Sequence, residues 1–176
     1  LRLDFAAVSP ISRAFAPMVR EARFDVCEMA IATVLQARAY GKPLVLLPLT
    51  MAARFQEGAL LCRTNGAVAG PADLAGRRVG VRAYSQTTGM WLRGILRDPP
   101  WATRAAPGQD MLAMLRAGEL DAAVFGNDMP DDPALRPVFP DPVAAGEAFW
   151  RKNGFVPVNH LVTVSRKLAD TRPDLV

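Results

Sequence analysis

Four polar residues, Ser85-Gln86-Thr87-Thr88, stand directly before an apolar helical pattern made by Met90-Trp91-Leu92 and Ile95-Leu96. Hydroxyls and unpaired backbone N–H groups at a helix start form a site for an anion, and a small carboxylate-bearing molecule is the ligand expected there. Ser and Thr also serve as ordinary N-caps, which is the alternative for these residues. Arg54 lies in a loop, where its planar fork suits a two-pronged bond to a carboxylate; otherwise it is a solvated loop arginine. Glu28 stands where a buried-looking strand ends. It is either a proton donor or an acid favoured by the dipole of the helix that follows. His160, the only histidine, is a candidate general acid or a structural side chain. Tyr84 either stacks on a ligand or packs against Trp91. Asn127, at another strand end, is a further candidate contact.

These residues need elements to hold them. Leu1–Val8 alternates as a strand, and Ser9-Pro10 opens a helix through Phe15, Met18 and Val19. Phe24-Asp-Val26 reads as a short strand that delivers Cys27 and Glu28. An Ala-rich helix from Met29 to Tyr40 is placed to stop at Gly41. Leu44–Leu47 has the continuous apolar character of a strand buried on both faces. A loop, Pro48–Gly58, carries Arg54, and Ala59–Arg63 is the next strand. Asp73–Gly89 then reads as a turn of helix, a tight Gly76, a strand at Arg77–Arg82 and the polar helix start. Gln109–Ala117 is amphipathic, Leu120–Phe125 is a buried strand, and Gly126–Pro133 is a turn-rich acidic loop. Pro142–Lys152 is helical, with Phe149 and Trp150 expected in the core. Asn159–Ser165 is a last strand bearing His160. Strands alternate with helices throughout, which predicts parallel α/β sheets arranged as two lobes.

Composition excludes several functions. The net charge of +4 comes from Arg residues spread along the chain, with no basic run interleaved with aromatics, so nucleic acid is not an expected partner. No apolar run is long enough to span a membrane. Cys27 and Cys62 are far apart in apolar, strand-like surroundings and read as small buried hydrophobes. With one His and no Cys pair, no metal site is expected, and no cofactor motif is present. The 176 residues suffice for one or two small domains. They begin inside a strand pattern and end on a helix start, Thr171–Val176, so a fragment lacking both ends is expected.

Asp73-Leu-Ala-Gly-Arg-Arg-Val-Gly-Val81 resembles the "DLkGkrvGV" signature of type II periplasmic-binding-protein folds, and Leu115–Val124 resembles their "l-aGelDAav" element. A narrower resemblance rests on Phe24–Ala30, Arg54-Phe55, Tyr84–Leu96 and Phe155–His160. Together these are similar to the 4,5-dihydroxyphthalate decarboxylase family, from about Leu1 to Arg172. That resemblance implies two lobes joined by crossing strands, with residues 1–66 and 159–176 in the first and 67–158 in the second. Ligand would lie in a cleft between the lobes. It also implies a longer loop near residues 98–109 than this chain carries.

What the resemblance implies chemically is non-oxidative loss of one carboxylate from an ortho-dicarboxylated catechol, giving protocatechuate and CO2, as in phthalate degradation. Ser85, Gln86, Thr87, Thr88, Arg54, Tyr84 and Asn127 would bind substrate. His160 or Glu28 would protonate the ring carbon as CO2 leaves, and Glu28 is alternatively an acceptor for a phenolic hydroxyl. The implied enzyme is a bacterial, cytoplasmic lyase. The alternative is a periplasmic solute-binding protein that captures a small anion for an ABC permease, where lobe closure is the functional event. A menaquinone-type biosynthetic enzyme on the same fold matches Tyr84–Leu96 less well. Fold by itself does not choose between these.

Overall fold

The computed structural model describes residues 2–83, 85–96, 105–126 and 128–176. It runs through α1 (Phe15–Glu21), β1 (Val26–Ala30), α2 (Ile31–Ala39), β2 (Leu44–Ala53), β3 (Leu60–Arg63) and β4 (Val79–Val81). There follow α3 (Thr87–Leu96), α4 (Met111–Ala117), β5 (Ala122–Val124), β6 (Leu135–Pro137), α5 (Pro142–Asn153), β7 (Val158–Ser165) and α6 (Arg166–Thr171). Two compact units emerge, Leu1–Ala53 with Val158–Val176, and Arg54–Pro157. Residues 54–66 fall in the second unit rather than the first, because β3 pairs with β5 and β6. Among the described residues no helix is long and apolar enough to cross a membrane.

In the first unit, β7 lies between β1 and β2 and is antiparallel to both. The expected parallel sheet is therefore not formed here: strand periodicity sets which face is buried but says nothing of direction. Ile11, Ala14, Phe15, Met18 and Val19 recur at helical spacing, and Met18 packs with Met29, Cys27 and Val34 in the core. The expectation for Leu44–Leu47 is corrected as well. β2 is an edge strand; Leu47 is buried, Leu46 is exposed, and Leu49 and Met51 beyond them are exposed too. Pro48 interrupts it, and the register with β7 shifts between Leu46 and Thr50, as befits a residue that cannot donate to a ladder. Residues 2–8 form no strand, and Phe5 is exposed. Their alternation provides a face without a neighbouring strand to pair with, and a lone strand is not stable in water.

The second unit is a mixed sheet in the order β4-β5-β3-β6. Its β4–β5 pair is parallel, and β3 is antiparallel to β5 and β6. Alternation along β3 sends Leu60 and Cys62 into one core with Val68, Leu92 and Val138, and Leu61 into another with Leu115 and Phe125. All three residues of β5 are buried, as a strand covered on both faces requires. Asp110 and Asp141 cap α4 and α5 by accepting from the Ala113 and Ala144 N–H groups at 2.8 and 2.9 Å. Gly118 and Gly154 end the same helices in the left-handed conformation. Asp121 Oδ2 accepts from the Arg78 N–H at 3.0 Å and so ties the start of β4 to β5. Trp150, expected in the core, is 53% exposed, while Phe149 packs edge-on against Phe155.

Candidate functional site

Each unit carries one group of the residues singled out by chemistry. In the first, Ala30 is directly opposite His160 and Glu28 is opposite Val162. Directly opposed residues share a face, and so do residues two apart on a strand. Glu28 and His160 are therefore diagonal neighbours on one face, with Glu28 Oε1 2.6 Å from His160 Nδ1. Both side chains are mostly buried, at 29% and 17% exposure, and the Phe15 ring meets the imidazole edge-on at 5.6 Å. An ionised carboxylate only accepts hydrogen bonds, so Nδ1–H is the donor and Nε2 is the nitrogen Glu28 does not hold. Glu28 lies within β1, not at its end, and α2 starts three residues later with no side-chain cap. The helix-acid role is thereby replaced by the partnership with His160. Cys27, next to Glu28, has its thiol pushed up to about 11, first by burial and then by the Glu28 charge. It donates weakly to the Glu28 carbonyl oxygen at 3.2 Å.

In the second unit, Arg54 Nη2 donates to Thr88 Oγ1 at 3.2 Å. The Arg54 backbone is fixed twice: its N–H donates to the Pro157 carbonyl oxygen at 3.1 Å, and its own carbonyl accepts from Gln56 Nε2 at 2.6 Å. Burial pushes the guanidinium pKa down from its ordinary value, so Arg54 is not a freely solvated loop residue. β4 ends at Val81, and α3 begins at Thr87 after a short turn in which the Gln86 N–H donates to Ala83 O. Thr87 and Thr88 are buried and Ser85 is exposed. Gln86 Oε1 is buried without a hydrogen-bond partner among the described residues. A Cβ added to Gly126 would come within 2.6 Å of Gln86 Nε2, so the glycine admits that amide. Chemically, this group offers a cation, a hydroxyl and the positive end of a ten-residue helix. Tyr84 and Asn127 lie outside the described residues.

Two contributors had no signal of their own. Phe15 is far from His160 in sequence, and only the packing of α1 brings it to the imidazole. Gln56 follows Arg54 within two residues and is fully buried, an unusual state for a glutamine. Among the described residues no group of three or more His, Cys, Asp or Glu is arranged to hold a metal ion.

No family model matches the chain. It is similar to the 4,5-dihydroxyphthalate decarboxylase of Comamonas testosteroni, 24% identical over 191 residues that cover 88% of this chain and 58% of the relative. The 4,5-dihydroxyphthalate decarboxylase of Pseudomonas putida is 25% identical over 169 residues, covering 75% of this chain and 65% of the relative. Among solved structures, the periplasmic aliphatic sulphonate binding protein SsuA from Escherichia coli matches with a TM-score of 0.63 at 16% identity, over 92% of this chain and 54% of that one. The chain thus spans little more than half the length of SsuA and less than two thirds of the curated relatives. Its mixed α/β fold is of the periplasmic-binding-protein type, and the resemblance carried by its motifs extends to curated relatives.

Proposed function

We propose that the chain binds a small carboxylate anion and belongs to an enzyme that decarboxylates 4,5-dihydroxyphthalate or a close aromatic analogue without an oxidant. The observation that carries this is the 2.6 Å contact between Glu28 and His160. A carboxylate set against an imidazole is an acid–base device, and capture of an anion alone has no use for the added negative charge. The relatives' printed names support the same chemistry.

In the proposed reaction, Arg54, Thr88 and the N–H groups at the start of α3, with Ser85, Gln86 and Thr87, anchor the carboxylate that stays. The bond from the ring to the other carboxylate breaks, CO2 departs, and the electron pair remains on the ring carbon. His160 Nε2–H gives that carbon its proton. Glu28 holds Nδ1–H, orients the ring and stabilises the imidazolium before transfer. Tyr84 and Asn127 are proposed as further substrate contacts.

Full-length protein incubated with 4,5-dihydroxyphthalate is expected to release one CO2 per substrate, with protocatechuate as the other product. Tight binding with no CO2 would sink the proposal. It would leave a solute-binding protein as the second reading, which the likeness to SsuA favours. In that case the Arg54 group grips the anion, the chain is periplasmic, and an ABC permease is the partner. As the decarboxylase it is cytoplasmic.

A further inference from the structure

Gly154 takes a left-handed φ of 76° and ends α5, which folds Phe155 back against Phe149 with ring centroids 5.4 Å apart. An apolar contact between the residue after such a glycine and the last helical turns regularly accompanies this kind of helix end. The cap does not account for the second neighbour of Phe155. Its ring also meets Trp91 of α3, at 5.9 Å and tilted by 48°. Phe155 is still 44% exposed, so it is open to solvent. Two tethers hold this pair beside the Arg54 group. Trp91 follows Thr88 by three residues and Thr87 by four, so all three share one face of α3, with neighbouring Cβ atoms about 5–6 Å apart. Helical side chains lean toward the N-terminus, which carries the indole back over the turn whose Thr88 meets Arg54. From the other side, the Arg54 N–H donates to the carbonyl oxygen of Pro157, two residues after Phe155 and so at most ~7 Å along the chain from it.

We infer that Trp91 and Phe155 set the specificity of the Arg54 group, by giving the ring of an aromatic carboxylate a face to pack on. This rests on the reading of Arg54, Thr88 and the start of α3 as an anion site, and it holds for catalysis and for capture alike. The cation and the hydroxyl grip a carboxylate and are blind to what carries it, since acetate and benzoate present them with the same two oxygens. The rings discriminate. A flat π system packs edge-on or offset against another with a gain beyond area burial, whereas a puckered saturated ring of similar size offers no quadrupole and no flat face.

Benzoate, cyclohexanecarboxylate and acetate titrated into the chain by calorimetry are the test. All three carry a single carboxylate, and the first two are similar in size. Benzoate is expected to bind about fivefold more tightly than cyclohexanecarboxylate, with nuclear Overhauser contacts from its ring protons to those of Trp91 and Phe155, and acetate more weakly than either. Phe155→Leu and Trp91→Leu should each cut the benzoate preference to about twofold or less, while acetate binds as in the parent; Phe155→Tyr should keep the preference. Arg54→Met should weaken all three carboxylates together. The inference is overturned if benzoate and cyclohexanecarboxylate bind the parent alike, or if both leucine variants keep the preference. Absence of saturable binding by all three, acetate included, would refute the anion site itself, and the specificity falls with it. Should Trp91→Leu fail to fold, Phe155→Leu, at a solvent-exposed ring, decides alone.

Discussion

His160 Nδ1 and Glu28 Oε1 lie 2.6 Å apart as diagonal neighbours on β7 and β1, with Ala30 rather than Glu28 directly opposite the histidine. In the proposed reaction the two roles are unequal: His160 transfers the proton and Glu28 positions it. His160→Gln is expected to lower CO2 release about a hundredfold or more with little change in KM, the usual weight of a general acid. Glu28→Gln keeps the shape but replaces the carboxylate that meets His160 Nδ1 at 2.6 Å. It should lower turnover about tenfold or more with little change in KM. Equal activity of His160→Gln and the parent would remove His160 as the acid.

Arg54 and Thr88 should matter for affinity. Thr88→Val keeps the buried shape and deletes the hydroxyl that meets Arg54 Nη2 at 3.2 Å. Arg54→Met keeps most of the stem and deletes the charge. Hydrogen bonds to a charged group contribute about 1.5–3 kcal/mol each, so Arg54→Met is expected to weaken carboxylate binding about tenfold to a hundredfold by calorimetry. Ser85→Ala combined with Thr88→Val should also lose affinity. Parent affinity in that pair would remove the start of α3 as the anion site.

Legibility in the sequence followed the range of the interaction. The stretch from Asp73 to Gly89 was readable because its parts are local: Asp73 Oδ2 accepts from the Ala69 and Gly70 N–H groups, Gly76 takes a positive φ, and β4 and α3 follow. Gly118 as the stop of α4 was equally local. Strand direction was not readable, since alternation along β7 is the same whichever way its neighbours run. β6 escaped notice because Leu135-Arg-Pro137 has no period of its own and is held by β3. Glu28 and His160 each drew attention by residue type, but 132 positions separate them, and only the β1–β7 register makes them a pair. Arg54 and Thr88 likewise needed the tertiary structure to meet.

Two helical glycines should respond oppositely to alanine. A Cβ on Gly146 of α5 would stand 2.5 Å from Phe55 Cγ and 2.7 Å from Phe55 Cβ. Phe55 sits between Arg54 and the fully buried Gln56, so its main chain has little freedom to retreat. Overpacking of this kind costs about 1–3 kcal/mol, which exceeds the gain in helix propensity of about 1 kcal/mol. Gly146→Ala should be destabilised in urea. Gly94→Ala on α3 meets nothing within 4 Å and should be stabilised by about 0.5–1 kcal/mol. Stabilisation by both would show that Phe55 does not press on α5.

Alkaline stability should report on Cys27. In the folded chain its thiol is raised from the ordinary 9.0 to about 11, by burial first and by Glu28 second. Between those values the unfolded chain gives up the proton while the folded chain keeps it, so the unfolded state binds fewer protons and stability falls with rising pH. The contribution is whole below pH 9, declines between about 9 and 11, and changes no further above that. Cys62 is raised as well, by burial, partly offset by Arg136, and acts in the same direction. Urea midpoints measured across this window should therefore drop less steeply for Cys27→Ala than for the parent, and less steeply still for the double Cys27→Ala, Cys62→Ala variant. Glu28→Gln removes the secondary cause of the Cys27 shift. It should bring thiolate formation to lower pH, read as faster alkylation of the native protein by iodoacetamide. Identical midpoint curves for the parent and the double variant would show that burial leaves these thiols unshifted.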